Sequence, residues 1–370
     1  MVVYFQTATD ILTYITNIVW VVVIMAFLFY GNRIQVYLSL RKVGGSLKAL
    51  ERMRDETKKR MVQEFSKYGG DAIEIKAETD RLLSSILIDP VSMDPSGIVY
   101  KLEHLIKTYE DYFKKKVERL TPSADKTVRQ NLSNIVEIGM SLDYLYRYVR
   151  HLYASAKRYN DLFAVVQLQM TLPLLMDSAE AYYAATDAFV KGEPIGDSFG
   201  PMVASAIISS SSGSKPQQIS EETVYSEVNY EGRRLIVVKA EGPGGTVGRP
   251  GEAVEKLLES NPDTSLVITI DAALKLEGEN SGEVAEGVGA AIGGPGVDRY
   301  RIEGIATKHN VPMYAVVVKM SEKEAITKMK NEIKNQVDEV LRRVRRLLYE
   351  KTEPNSKVLL AGIGNTIGVP

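Results

Sequence analysis

Residues 11–30, ILTYITNIVWVVVIMAFLFY, form a run of twenty without a charge. At the α-helical rise such a run spans about 30 Å, the thickness of a bilayer's hydrocarbon core. Tyr14 and Tyr30 stand toward its ends, where aromatic rings favour the membrane interface, and Trp20 lies near its middle. Asp10 is the only charged side chain before the run, whereas residues 31–60 carry nine Lys or Arg, from Arg33 to Arg60. That asymmetry predicts a single-pass anchor in the cell membrane, with the N-terminus outside and the rest of the chain cytoplasmic. A cleaved signal peptide would need a basic start and a small-residue cleavage site, which MVVYFQTATD lacks. A buried core helix would show a polar face, and beyond Asn17 this segment has almost none. A second apolar stretch, residues 162–176, is short and interrupted by Gln167, Gln169 and Pro173. It is expected to be a buried or interfacial helix, not a second span.

The chain then changes grammar twice. Residues 1–10 form a short external tail, 11–30 the span, 31–192 a helical domain and 193–370 an α/β domain. In 98–113 and 132–153 apolar residues recur three and four positions apart, the period of an amphipathic helix. Breaks fall at Gly69-Gly70, at residues 89–95 and at Thr121-Pro122-Ser123, which gives four or five helices. Tyrosines at 144, 146, 148, 153, 159, 182 and 183 are read as a packed face with hydroxyls at its rim. A nucleic-acid surface is not expected, because 46 Lys and Arg balance 47 Asp and Glu.

Past Gly192, short Val- and Ile-rich runs alternate with Gly-rich loops and helical stretches. The runs 234–240, 265–274, 313–320 and 357–363 are apolar on both faces, and helical segments lie at 252–260, 299–309 and 321–351. Such alternation predicts a mostly parallel sheet covered on both sides. TVYSEVNY and RRLIVVKA, joined through Glu231-Gly232, add a hairpin, and the Ser-rich segment 209–220 is expected to be a flexible loop.

There is no Cys, which excludes disulfides and Cys nucleophiles, and only His104, His151 and His309 are present. Chemistry therefore falls to carboxylates, with no metal and no cofactor implied. In open parallel sheets, functional groups collect at the carboxyl ends of strands. Asp271 closes the strand run LVITI, and Asp197 stands at the start of an apolar helix, where it could serve as its N-cap. The loop 241–252 contains Gly242, Gly244, Gly245 and Gly248, whose amides could face an anion at the following helix N-terminus. Gly294 and Gly296 shape a second Gly-Pro-Gly loop, and Gly362, Gly364 and Asn365 form a GIGN segment after the last strand. That segment is no dinucleotide fingerprint, because its spacing differs and no helix follows.

Taken together, EGPGGTVGRPGEAVEKL, SLVITIDAAL and GGPGVDRYRIEGIATKHNVPMYAVVV resemble the core of the spore germination endopeptidase family. Its other acidic motif, D-x-x-G-P, matches Asp197-Ser198-Phe199-Gly200-Pro201. The hydrogenase maturation endopeptidases share that fold and a G-x-G-N opening motif. In those enzymes the G-x-G-N strand comes first, whereas here it lies at residues 362–365, so the resemblance implies a circular permutation. The permutation would place the last strand inside the sheet, with GIGN beside Asp197. The resemblance implies that Asp197 and Asp271 are the acidic pair of an aspartate-dependent endopeptidase, with His309 a candidate third partner. The whole chain also resembles an uncharacterised family of archaeal membrane proteins of similar length. The partners so implied are the lipid bilayer and a protein substrate or partner, and a homo-oligomer is open. The alternative is a non-catalytic membrane scaffold or complex subunit that keeps the fold for binding.

Overall fold

The computed structural model describes residues 2–85, 97–294 and 296–370; the break expected at 89–95 lies outside them. Five helices come first: α1 (Val2–Ser66), α2 (Ala72–Leu83), α3 (Ile98–Leu120), α4 (Lys126–Tyr159) and α5 (Leu162–Lys191). Breaks fall at Gly69-Gly70 and Thr121-Pro122, as the punctuation predicts, because Gly69 needs positive φ and Pro122 cannot continue a helix. The tail and the uncharged run are not separate elements, since α1 continues through both without interruption. Every residue described in Ile11–Phe27 is exposed. That stretch is 17 residues long, at the lower limit for crossing a bilayer.

Helix α5 corrects one expectation. Pro173 lies inside it without breaking it, so the segment is 30 residues long, and length and composition suffice for it to cross a membrane. A helix-interior Pro forfeits one backbone hydrogen bond, and here the buried neighbours Leu168 and Leu172 hold the helix together. The tyrosine face is also only partly packed. Tyr146 is buried and donates to Glu51, whereas Tyr144, Tyr148 and Tyr159 are exposed.

The chain forms two compact units, Met1–Met53 with Tyr144–Asp177 and Arg54–Asp143 with Ser178–Pro370. In the first, α4 runs antiparallel to α1, and α5 returns alongside. Val36 and Leu40 of α1 pack on Ala156 and Val165, and Gln169 donates to the Ser39 carbonyl.

The second unit holds α2, α3 and the eight-stranded sheet. After a one-turn 3-10 helix (Gly196–Ser198) come α6 (Phe199–Ser210), β1 (Ser212–Gly213), β2 (Gln217–Ser220), β3 (Thr223–Tyr230) and β4 (Arg233–Ala240). Then follow α7 (Pro250–Ser260), β5 (Thr264–Leu274), β6 (Val284–Val288), α8 (Val297–Lys308), β7 (Met313–Met320), α9 (Glu322–Ile326), α10 (Asn331–Lys334), α11 (Val337–Lys351) and β8 (Lys357–Gly362). The strand order is β1-β3-β4-β8-β5-β7-β6, with β2 beside β3. Only β4-β8-β5-β7 is parallel; the flanking pairings are antiparallel, so the sheet is mixed where a mostly parallel one is expected. The expected flexible loop 209–220 contributes β1 and β2 to β3, and the expected helix 321–351 is three helices.

The strand periodicity shows why the central strands are apolar throughout. Leu235, Val237, Ile268, Ile270, Val358 and Leu360 face α6 and α11, while Ile236, Val238, Val267, Leu359 and Ala361 face α7 and α8. Burial on both faces leaves no room for a polar alternation. β8 lies between β4 and β5, parallel to both, so the C-terminal strand is internal.

Candidate active site

The site begins with glycine. α6 approaches the carboxyl end of β8 so closely that a Cβ on Gly200 would collide with the carbonyl oxygens of Ile363 and Ile270. A Cβ on Gly362 would strike Gly200 in turn. This contact brings the turn containing Asp197 to the chain leaving β8. Gly364 takes φ of 125°, and a side chain there would collide with the Asp197 carbonyl. Asp197 does not cap α6. Its Oδ2 instead accepts the Asn365 backbone N–H at 2.8 Å, across to the C-terminal segment.

Asp271 lies in β5 opposite Val317, one residue beyond Ile270, which pairs with the last residue of β8. Its Oδ1 accepts the Ala272 N–H at 2.7 Å and its Oδ2 the Gly293 N–H at 3.0 Å. Burial, and then the charge of Asp197, push the Asp271 carboxyl well above the usual carboxylate range, against the pull of the two amides. Burial also raises Asp197, opposed by the Asn365 amide. Asp271 thus lies three residues before the end of β5, beyond the level where β8 ends, and the turn holding Asp197 packs against that end. Gly294 and Gly296 follow Gly293 with φ of 85° each and open space around them. His309 does not join the pair: it caps the C-terminus of α8, just before the amino end of β7.

The Gly-rich loop departs from its expected role. The Gly245 amide donates to Asn131 Oδ1, Gly248 to Thr246 Oγ1, Arg249 to Thr223 Oγ1 and Gly251 to Asp298 Oδ1. These amides are occupied within the protein and do not face an anion. Gly242 and Gly244 are glycines because other segments press on them: a Cβ would meet the Val369 carbonyl at one and the Gln130 side chain at the other. Thr366 ties the loop to the C-terminal segment through Gly244 and Thr246 carbonyls, at 2.8 and 3.0 Å.

Residues 17–192 match the family model for the N-terminal domain of a protein of unknown function (DUF1512), and residues 195–370 match the model for the DUF1512 C-terminal domain. The chain belongs to the DUF1512 family. No curated protein matches it.

A cavity of about 340 Å³ lies where α3 and α4 meet the DUF1512 C-terminal domain. Asn365 is one of its walls, and its side chain donates to Asn134 of α4 at 3.3 Å while its backbone holds Asp197. Asn134 also donates to the Gly245 carbonyl at 2.6 Å. Most charges around the cavity are paired, Arg249 with Glu110 and Lys114 with Glu221 and Glu222. Among the described residues Glu137 has no such partner: its exposed side chain lines the cavity, where desolvation by the walls, and then the charge of Glu110, pushes its carboxyl up to about 7. Glu137 and Asn134 carry no signal in the sequence, because they sit within a regular helical pattern that gives no sign of what they face. Neither Asp197 nor Asp271 lines this cavity. Among the described residues no group of three or more His, Asp and Glu could hold a metal ion.

Proposed function

We propose that this chain is a membrane-anchored protein whose cytoplasmic α/β domain is a peptidase-like hydrolase acting through Asp197 and Asp271. The observation that carries the reading is the close packing of the turn holding Asp197 against the ends of β8 and β5, beside buried Asp271, whose carboxyl burial and the charge of Asp197 hold well above the usual carboxylate range. Two coupled carboxyls titrate as a pair, so one keeps a proton while the other can take one from an attacking water. Asp271 is the member that holds the proton and could protonate a leaving amine. Asp197, the more exposed of the two, is the base. The resemblance to the spore germination endopeptidases supports the choice of peptide bonds, and the position of GIGN beside Asp197 is the arrangement a permuted member would have.

The anchor rests on the uncharged run in α1, exposed on every side over Ile11–Phe27, and on the basic flank that follows it. We do not read α5 as a second span. It packs on the part of α1 that follows the anchor, at Val36, Ser39 and Leu40, among Arg33, Arg41 and Lys42.

One observation favours the scaffold reading instead. Asp271 is 3% exposed, and both of its oxygens already accept backbone amides. Cleavage of peptides by the purified full-length protein decides between them. The hydrolase reading expects Asp197→Asn and Asp271→Asn to abolish cleavage while circular dichroism stays unchanged. An Asp271→Asn protein that cleaves like the parent from acidic to neutral pH overturns it.

A further inference from the structure

Helices α4 and α5 meet at a hairpin tip, residues 159–162, inside the first compact unit. Its level along α1 follows from three contacts. Tyr146 donates to Glu51, a Cβ on Gly44 would touch Tyr153, and Ala156 packs with Val36 and Leu40. Following α4 toward its C-terminus therefore means climbing α1 toward the uncharged run. Val36 lies six residues past Tyr30, which is about 9 Å at helical rise, and the tip reaches beyond it. The polar headgroup layer on each side of a bilayer is about 5–8 Å thick. The tip thus stands at headgroup depth once α1 spans the membrane.

The side chains at that level suit such a layer. Tyr159 and Phe163 are 70% and 78% exposed, although each offers an aromatic ring that tertiary packing could have buried. Lys157 and Arg158 are exposed and have no carboxylate partner among the described residues. Arg158 lies 5.5 Å from the Tyr159 ring centroid, a cation held beside an aromatic. On α1 the same level carries Arg33, exposed Ile34, and exposed Tyr37 and Leu38. Aromatic rings with an apolar body prefer the membrane interface, and basic side chains near a cytoplasmic leaflet are drawn to anionic lipid.

We propose that the α4–α5 hairpin tip is a second membrane contact, seating Tyr159 and Phe163 in the headgroup layer and Lys157 and Arg158 against anionic lipid. It rests on the reading of α1 as a membrane anchor. The contact holds α1 at two points, the span and the tip, and so fixes the rotation of the first unit about the membrane normal.

Trp20 is the single tryptophan and provides the control. The full-length protein is placed in vesicles of phosphatidylcholine with anionic phosphatidylserine, with and without acyl-chain-brominated lipid that quenches tryptophan. The parent reports the span through Trp20. A Trp20→Phe, Phe163→Trp protein reports the tip. The expected result is deep quenching of Trp20, and for the new Trp a blue-shifted emission quenched more by bromines near the headgroup than by deep ones. Lys157→Glu with Arg158→Glu should then reduce the quenching of that Trp several-fold. A solvent-like, unquenched Trp at 163 beside a quenched Trp20 overturns the proposal and leaves the anchor standing. A blue-shifted Trp that brominated lipid does not quench also overturns it, in favour of a second copy covering the tip. An unquenched Trp20 removes the anchor and this contact together.

Discussion

Two apolar stretches of similar chemistry end in opposite surroundings. In α1, Ile11–Phe27 is exposed on every side; in β8, residues 358–361 are fully buried between neighbouring strands and under helices on both faces. The strand finds its apolar solvent inside the protein. The helix finds none among the described residues, and the anchor proposed above would need an apolar phase outside the chain to hide it. The same contrast separates two glutamates. Glu324 is surrounded by partners, accepting from Ser321 N–H, Ser281 and Lys330, and its carboxyl falls to about 2. Glu137 has no ion-pair partner among the described residues; its side chain is exposed at the cavity wall, where nearby protein and the charge of Glu110 push its carboxyl up to about 7. Composition fixes neither outcome; company does.

The contrast can be broken at the strand first. Leu360→Ala should cost about 2–5 kcal/mol of unfolding free energy, read from urea denaturation, because a buried leucine is lost and a cavity is left. A loss below about 1 kcal/mol would mean that β8 is not a core strand. The helix should respond in the opposite sense. Val22→Asp should leave the urea midpoint of the α/β domain unchanged. It should weaken membrane partitioning by about 3 kcal/mol, the insertion penalty of a central aspartate. A Val22→Asp protein that pellets with membranes like the parent would show that the run is not buried in lipid.

The glutamates sharpen the same point with smaller effects. The folded-state pKa of Glu324 is depressed, so its contribution is present above about 4.5 and is lost as the pH falls toward 2. Glu324→Gln should cost about 1–3 kcal/mol at pH 7 and little at pH 2, since charged hydrogen bonds vanish on protonation. Glu137 carries the reverse sign. Its folded-state pKa is raised, so its contribution is full below about 4.5 and is lost as the pH rises through 7. Glu137→Gln should therefore flatten stability between pH 5 and 8. Equal pH profiles for the two variants would show that their surroundings do not differ as described.

Much of the α/β domain was legible because its signals are local. The runs that became β4, β5, β7 and β8 are apolar on both faces, a pattern only a doubly covered strand sustains. The hairpin at Glu231-Gly232 was readable too, since both residues take positive φ and the strands around them pair from Tyr230↔Arg233 outward. β6 was not. VAEGV is short, holds a glycine and a glutamate, and lies at the sheet edge with one neighbour, so its burial never imposes a periodic pattern. β1 and β2 escaped for the same reason, being Ser- and Gln-rich strands that exist only because β3 offers them a ladder.

By itself, then, the sequence determined many of the elements: the breaks at Gly69-Gly70 and Thr121-Pro122, which strands are doubly covered, and a run of twenty residues without a charge near the N-terminus. Those are consequences of chemistry within a few residues, where glycine, proline and the period of apolar side chains act directly. Only the tertiary structure decided the site. Asp197 and Asp271 become a pair because Gly200 and Gly362 allow α6 to lie against the ends of β8 and β5. Loop glycine 245 loses its amide to Asn131 for a reason no local pattern carries. A backbone N–H takes whichever acceptor the fold brings nearest, and that acceptor here comes from α4, more than a hundred residues away in the chain for Gly245.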